Sequence, residues 1–250
     1  MKAYIITLSG NPSSAAAARN CHASALAQGY DVAYFEASTG TTGRAVLQEE
    51  GIRPITATGG GTASLRRHQR EWLEQPGTLG CYASHFRLWR RSVELGEPIV
   101  VFEHDALALA PFPAIGWRDV LHMECEGNLT RLGADWARND RMETGHGIYR
   151  LGFSPSELPE LVCMPCCHAY AIQPHAAAAL IEDARRQGWF AVDRAMREPV
   201  VMIETHSPSL ATFQKEYMNV SSTASWRWKS RHWLGNAIAR AKRRVGWPVP

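Results

Sequence analysis

The chain opens on an apolar–helical–apolar pattern that predicts a strand, a helix and a second strand. Residues 3–8 form a short apolar run, residues 13–28 are rich in alanine and end before Gly29, and residues 31–35 form the next apolar run. Alanine favours helices and glycine is common just past a helix end, so the middle segment is predicted to be helical. This order indicates the start of a parallel, nucleotide-type sheet.

Apolar residues recur at helical spacing in two further segments, 80–95 and 174–187. The first ends at Gly96 and the second begins with Pro174, which are typical helix boundaries. Weaker patterns predict helices over 43–55 and over the arginine-rich stretch 63–74, with a glycine loop at 58–62. Further strands are predicted from apolar runs at 99–102, 120–125, 168–172 and 200–204. Residues 126–162 show little periodicity and are predicted to be loops that form an acceptor-facing lid.

Composition indicates a soluble globular protein. The 250 residues are 45% hydrophobic and 20% charged, and no apolar run approaches the length of a membrane span. The N-terminus lacks a signal-peptide pattern, so the six cysteines are expected to be reduced thiols in a cytoplasmic protein.

Charge divides the chain into a body at 1–223 and a tail at 224–250. The overall charge is +3, yet the tail is basic and contains no acidic residue. Its basic residues are Arg227, Lys229, Arg231, Arg240, Lys242, Arg243 and Arg244. Aromatic and apolar residues at helical spacing predict a basic amphipathic helix. Such a helix can contact an anionic membrane surface, bind DNA, or pack its apolar stripe onto the body.

The most informative stretch is the apolar run 99–102, which leads directly into Glu103, His104 and Asp105. Ligands of open α/β sheets bind at the carboxyl ends of strands. Two carboxylates one residue apart face the same side of an extended chain, whereas the intervening histidine faces the other. This arrangement predicts a divalent cation shared with a phosphate-bearing substrate.

Together with the helix before it, this stretch resembles glycosyltransferase family 25. That helix carries Gly80, Cys81, Ser84, His85 and Trp89 in the pattern Gly-Cys-x-x-Ser-His-x-x-x-Trp, ahead of an acidic triplet. The segments 4–8, 37–40, 169–172 and 192–193 are similar to further family blocks. The chain departs from the family pattern in having His104 within the triplet and Val192 in place of a common proline. The Glu-His-Asp variant is most similar to phage-encoded relatives.

The resemblance implies a GT-A-like fold, a nucleotide-diphosphate sugar as donor (a UDP-sugar by expectation) and inversion at the anomeric carbon. The residues expected to contact the donor are Thr7, Leu8, Ala37, Gly40, Ser84, His85, Glu103 and His104. Mn²⁺ or Mg²⁺ is expected at Glu103 and Asp105, with His206 as a further candidate ligand. The general base is expected to be Asp193, which matches a late family aspartate, with Glu204 in reserve.

Several alternatives remain open at this level. Cys81 and His85 are spaced i, i+4, which permits a nucleophile pair, although a structural role is favoured. The cluster of Cys163, Cys166, Cys167 and His168 permits zinc, although buried thiols are favoured. The first-choice acceptor is a hydroxymethylated base in phage-type DNA. A lipooligosaccharide or LPS glycan at the inner membrane surface is the alternative, and a non-catalytic nucleic-acid-binding module is the rival.

Overall fold

The structure is a computed structural model that describes residues 1–54, 75–124, 143–145, 148–150, 163–164 and 166–217. The strands are β1 Lys2–Thr7, β2 Asp31–Glu36, β3 Ile99–Glu103, β4 Ala106–Ala108, β5 Val120–His122, β6 Glu143–Gly145, β7 Ile148–Arg150, β8 Ala169–Ile172, β9 Ile203–His206 and β10 Ala211–Phe213. The helices are α1 Pro12–Ala27, α2 Gly40–Glu49, α3 Pro76–Leu95, α4 Pro174–Gln187 and α5 Val192–Ala195, followed by a 3₁₀ turn at Lys215–Tyr217.

Eight strands form one mixed sheet in the order β2-β1-β3-β8-β5-β9-β7-β6. The pairs β1–β2 and β1–β3 are parallel, which confirms the predicted nucleotide-type opening. Strand β8 runs antiparallel to both β3 and β5, and β9 runs parallel to β5. The carboxyl ends of β1, β2, β3, β5 and β9 therefore lie at the same edge of the sheet as the start of β8.

Helices cover both faces of the sheet. On one face, α1 packs Ala18, Cys21 and Ala25 against alternate residues of β1 and β3, such as Ile5 and Phe102. On the other face, α3 and α4 bury a larger core. Because neighbouring strand residues point to opposite faces, the continuous apolar runs of β3 and β8 fill both cores at once. This α/β arrangement confirms the predicted GT-A-like single domain with a Rossmann-type sheet flanked by helices.

Helix α3 begins at Pro76, four residues before the predicted start. Proline is tolerated in the first helical turn because that turn needs no backbone donor. The helix ends as predicted at Gly96, which adopts the left-handed conformation with φ +65°. Its buried face carries Tyr82, Phe86 and Trp89, the large side chains that anchor it to the sheet.

Some predictions of strands and of their boundaries were wrong. Residues 143–145 and 148–150 form a β-hairpin at the sheet edge, within the stretch predicted to be loops. The antiparallel pair β4–β10 was not predicted, because strands of three residues are too short to show periodicity. The last core strand begins at Ile203 rather than 200, since residues 198–200 form a turn.

The predicted loop at 58–62, the predicted helix at 63–74 and the tail at 224–250 lie outside the described residues. Within the described ranges, no helix is both long and apolar enough to cross a membrane.

Candidate active site

A pocket opens at the carboxyl ends of β1, β2 and β3, against the first turns of α3. This is where ligands bind in open α/β sheets. The structure brings all eight residues predicted to contact the donor into its lining, together with Asp105: Thr7, Leu8, Ala37, Gly40, Ser84, His85, Glu103 and His104. These residues come from four separate segments of the chain, so only the tertiary fold makes them neighbours.

Two glycines allow the wall of the pocket to close. A Cβ on Gly80 would lie 2.4 Å from the carbonyl oxygen of Ser38, and a Cβ on Gly40 would lie 2.4 Å from the Cβ of Pro76. Real Cβ atoms do not approach so closely, so both positions require glycine for space rather than for backbone conformation. The glycine of the α3 motif and the glycine at the start of α2 are thus two sides of one contact.

Ser84 fixes the position of the loop at Ser38 relative to helix α3. The backbone N–H of Ser38 donates to Ser84 Oγ across 2.8 Å, and the Ser84 hydroxyl donates to the carbonyl oxygen of Gly80 across 2.7 Å. Ser84 is fully buried, so an unpartnered N–H at Ser38 would be costly. Ser84 therefore fixes the loop that carries Ala37 and Gly40 to the helix that carries His85.

His85 links the helix to the strand-end acid. Its Nε2 lies 3.1 Å from Glu103 Oε1, and its Nδ1 lies 2.8 Å from the hydroxyl oxygen of Tyr170. The indole N–H of Trp89 donates to the same hydroxyl oxygen across 3.1 Å. Since indole only donates, the Tyr170 hydroxyl is left to donate to His85 Nδ1, and the Nε2–H then donates to Glu103. Trp89, Tyr170 and His85 thus form a buried chain that ends on the Glu103 carboxylate.

Glu103 is ionised in this environment. Burial by itself would raise its pKa, but the hydrogen bond and the electrostatic interaction with His85 outweigh burial, and those with His104 and His168 add to them. The net effect is a Glu103 pKa well below its usual range. The carboxylate is therefore charged throughout the neutral pH range, as a carboxylate that binds a metal ion must be.

Cys81 is a protonated thiol rather than a nucleophile. Its Sγ–H donates to Glu103 Oε1 at 3.6 Å. Burial, followed by the charges of Glu103 and Asp193, raises the Cys81 pKa well above its usual value. Both ring nitrogens of His85 already have other partners. The i, i+4 spacing of Cys81 and His85 therefore does not form a Cys–His nucleophile pair, in agreement with the favoured structural role.

Asp193 lies on α5, close enough to Glu103 for their charges to interact, although it is not among the residues that line the pocket. Burial raises the Asp193 pKa, and the negative charge of Glu103 raises it further, although the neighbouring Arg194 opposes both. Its Oδ1 is buried without a hydrogen-bond partner among the described residues. A carboxylate in such a place holds a proton more readily than an exposed one, which is the property expected of a general base.

The acidic triplet is a turn rather than an extended segment. Glu103 is the last residue of β3, and His104 and Asp105 form the turn into β4. Strand alternation therefore stops at Glu103, and His104 lines the pocket instead of facing away from it. The expectation that His104 lies behind the two acids was wrong for this reason.

Gln214 holds this turn in place and was missed at the level of sequence. Its backbone N–H donates to the carbonyl oxygen of Asp105 across 2.7 Å. Its side-chain nitrogen lies 2.9 to 3.2 Å from three carbonyl oxygens, those of Ala17, His104 and Ala106. Asn20 of α1 donates to its side-chain oxygen across 2.9 Å. Local sequence carries no signal for this clamp, because each of these partners lies more than about 100 residues away from Gln214 along the chain.

A second buried acid lies beside the triplet. Glu124 follows β5 and is fully buried, with Oε2 at 3.2 Å from His168 Nε2 and Oε1 accepting from the Thr212 hydroxyl across 3.1 Å. The His168 carbonyl oxygen in turn accepts from the backbone N–H of Glu103 across 2.7 Å. The strand-end pattern that drew attention to Glu103, an apolar run followed by an acid, also occurs at Glu124 and would have found it.

His206 and Glu204 do not join the pocket. Both lie on β9, which is three strands from β3, a separation of roughly 14 Å at the usual strand spacing. His206 Nδ1 donates to the carbonyl oxygen of Pro208 across 2.7 Å, and Glu204 accepts from the backbone N–H of Arg118 across 2.6 Å. Glu204 pairs with Leu121, whose face of the sheet is opposite to that of Glu103. The expectation that His206 shares an ion with Glu103 and Asp105 is therefore wrong. The expectation of Glu204 as a reserve base is wrong for the same reason.

The cysteine cluster shows no zinc geometry. Among the residues that the structure describes, Cys163, Cys166, Cys167 and His168 do not contribute three ligand atoms to a common group. Cys163 and Cys167 are buried thiols, in agreement with the favoured interpretation.

The seven basic residues of the tail, from Arg227 to Arg244, lie outside the described residues.

The fold and the site define an α/β protein with a ligand pocket and an ionised acid at the carboxyl ends of its parallel strands. The family model described as glycosyltransferase family 25 (LPS biosynthesis protein) matches residues 64–196, and the chain belongs to this family. A search of curated proteins finds no match to the chain.

Proposed function

We propose that this glycosyltransferase moves a sugar from a nucleotide-diphosphate donor to an acceptor hydroxyl, with inversion and with the help of a divalent cation. The observation that carries the proposal is the convergence of Thr7, Ala37, Ser84 and Glu103 on one pocket at the strand ends. Pockets at this position of open α/β sheets accept nucleotides.

The residues at the pocket fit a hard divalent cation. Glu103 and Asp105 supply carboxylate oxygens, which Mn²⁺ and Mg²⁺ prefer. The contacts of His85 and Cys81 both use Oε1 of Glu103, so Oε2 is the oxygen that we assign to the cation. When bound, the cation would stabilise the negative charge that develops on the departing nucleotide diphosphate.

Asp193 is the proposed general base. Inverting transfer needs a group that accepts the proton of the acceptor hydroxyl as that oxygen attacks the anomeric carbon. Burial and the charge of Glu103 raise the Asp193 pKa, which makes the carboxylate a stronger proton acceptor once it is ionised. Asp193→Asn would keep the shape of this side chain and abolish its basicity.

The donor and the acids are tested by offering purified protein a panel of nucleotide sugars with Mn²⁺ and Mg²⁺, and by detecting transfer or donor hydrolysis by mass spectrometry. We expect Glu103→Ala and Asp105→Ala to reduce turnover at least tenfold. Glu97→Ala is the matched control, because this exposed acid lies before the opposite end of β3. Full turnover in both pocket variants would refute the metal assignment.

For the acceptor, the description of the family favours an LPS-type glycan. The basic, acid-free tail favours hydroxymethylated DNA as a second candidate, because each phosphate that a cation neutralises releases counterions. Mass spectrometry of reactions that contain either acceptor distinguishes them. Liposome co-sedimentation and DNA gel shifts, each scanned over salt, show which surface the tail contacts. DNA binding without turnover on any nucleotide sugar would favour the non-catalytic module.

A further inference from the structure

Three side chains on the inner wall of the pocket have the arrangement of zinc ligands. The Sγ of Cys81, a ring nitrogen of His85 and a carboxylate oxygen of Glu103 all lie within 4.8 Å of one another. They are the only such group among the residues that the structure describes. We propose that this group binds a single Zn²⁺ ion through Oε1 of Glu103, next to the oxygen-ligand cation site that uses Oε2 of Glu103 and Asp105.

Two of the three ligand–ligand distances match the edges of a tetrahedron around zinc. With zinc bonds of about 2.3 Å to sulfur and about 2.0 Å to nitrogen and oxygen, the tetrahedral edges are about 3.5 Å for S···O and about 3.3 Å for N···O. The observed distances are 3.6 Å from Cys81 Sγ to Glu103 Oε1 and 3.1 Å from His85 Nε2 to the same oxygen. Both contacts to Glu103 Oε1 are thus within about 0.2 Å of the spacing that zinc requires, and the sulfur and the ring nitrogen lie within 4.8 Å of each other.

The chemistry of the set selects zinc over the harder cations. A thiolate and an imidazole are ligands that Zn²⁺ accepts and that Mg²⁺ and Mn²⁺ bind poorly. When the ion binds, the Cys81 thiol loses its proton to solvent. The ion displaces the proton on His85 Nε2, and Nδ1 takes up one proton and donates it to the Tyr170 hydroxyl oxygen, so the ring stays neutral in its other tautomer. The net exchange is therefore one Zn²⁺ ion bound and one proton released to solvent.

The surroundings supply the support that a zinc ligand needs. Metal-bound histidines almost always use their second nitrogen in a hydrogen bond that orients the ring. His85 Nδ1 already lies 2.8 Å from the Tyr170 hydroxyl oxygen, and Trp89 donates to that oxygen. Cys81, His85 and Glu103 all line the pocket, which provides an entry path and an open fourth position for water or a substrate oxygen.

The test is metal titration of the full-length protein after removal of bound metal with a chelator. Zn²⁺ affinity is measured by competition with a chromophoric chelator. Co²⁺ is used as the spectroscopic probe, because thiolate coordination gives a ligand-to-metal charge-transfer band. We expect one equivalent of each ion to bind, with that band present. Neither measurement needs a nucleotide sugar or an acceptor, so its outcome is independent of the proposed glycosyl transfer.

Variants identify the ligands. Cys81→Ser, which keeps the size of the side chain, should remove the charge-transfer band and weaken Zn²⁺ binding by more than tenfold. Tyr170→Phe should weaken binding by about 10–100-fold while keeping the band, as loss of a supporting hydrogen bond does. Cys167→Ser is the control, since it removes a thiol of the other cysteine cluster, and it should change neither quantity.

The proposal is overturned if the wild-type protein binds no stoichiometric Zn²⁺ or if its Co²⁺ complex lacks a thiolate band. Both results are obtained on the wild type, so they stand even if Cys81→Ser fails to fold. It is equally overturned if Cys167→Ser, rather than Cys81→Ser, removes the band.

Discussion

The imidazole of His85 and the carboxylate of Glu103 are hydrogen-bonded across 3.1 Å, which joins the middle of α3 to the end of β3. Eighteen residues separate the two along the chain. The bond explains why a Ser-His helix and a strand-end acid occur together, since one positions the other. His85 is itself completely buried, so its orientation depends on the partners that lie behind it.

Tyr170→Phe is expected to destabilise the protein by about 1–3 kcal/mol, because it leaves the buried Trp89 N–H and His85 Nδ1 without their shared partner. Urea unfolding monitored by circular dichroism measures the change. Tyr34→Phe serves as the control, since Tyr34 is 49% exposed, and it should change stability by less than about 0.5 kcal/mol. Equal stability of the two variants would show that the chain of hydrogen bonds contributes nothing.

Gly80→Ala is expected to destabilise the protein by about 1–3 kcal/mol, because the new methyl would lie 2.4 Å from the Ser38 carbonyl oxygen. Relief of this clash must push α3 away from the loop at 37–40, so donor binding should weaken as well. Thermal unfolding and nucleotide titration check the two effects. Gly10→Ala is the matched control, because a Cβ there meets nothing within 4 Å, and its unfolding should match that of the wild type.

Gln214→Leu removes the clamp on the turn at His104 and Asp105 while keeping a similar side-chain volume. The carbonyl oxygens of Ala17 and His104 lose a buried donor, so unfolding free energy should fall by about 1–3 kcal/mol. Affinity for Mn²⁺ should fall too, because the turn carries one proposed ligand. Denaturant unfolding and metal titration measure these changes. Gln48→Leu, an exposed change on α2, should leave both unaltered, and a similar loss in that variant would contradict the clamp.

The stability difference between wild type and Glu103→Gln should depend on pH. Folding lowers the Glu103 pKa, so the folded protein binds this proton more weakly than the unfolded chain does. The stabilisation by the carboxylate is therefore fully present above the unfolded pKa of about 4.3 and is lost as the pH falls towards the folded value. Urea unfolding of both proteins between pH 7 and pH 3 measures this difference. A difference that stays constant over that range would contradict an ionised Glu103 paired with His85.

Local sequence was sufficient wherever a feature depends on periodicity or on a nearby residue. The alanine-rich helix α1, the helix α4 from Pro174 and the strand into Glu103 were all placed within one residue at their defined ends. Gly80, Ser84 and His85 could be recognised because they match the Gly-Cys-x-x-Ser-His-x-x-x-Trp pattern of the family that the chain resembles. The strand-end position of Glu103 followed from the apolar run before it, and the same rule would have singled out Glu124, the buried acid that pairs with His168.

Contacts between distant segments could not be predicted in this way. Glu204 and His206 looked equivalent to Glu103 because they also end an apolar strand, yet strand order separates them from the pocket. Strand order follows from which faces pack together, and no pattern within a single strand encodes it. The Gln214 clamp likewise depends on β10 crossing to β4 next to α1.

The amino-acid sequence by itself determined the long helices and the apolar core strands, the acid at the end of β3, and which glycines and polar residues share a helix. Those properties depend on the period of side chains along a local backbone. The tertiary structure alone decided that Ser38 contacts Ser84, that Tyr170 supports His85, and that Asp193 approaches Glu103 while Glu204 does not. Burial in the two cores of the sheet made these choices, because each buried polar group must find a partner among the segments that the strand order brings beside it.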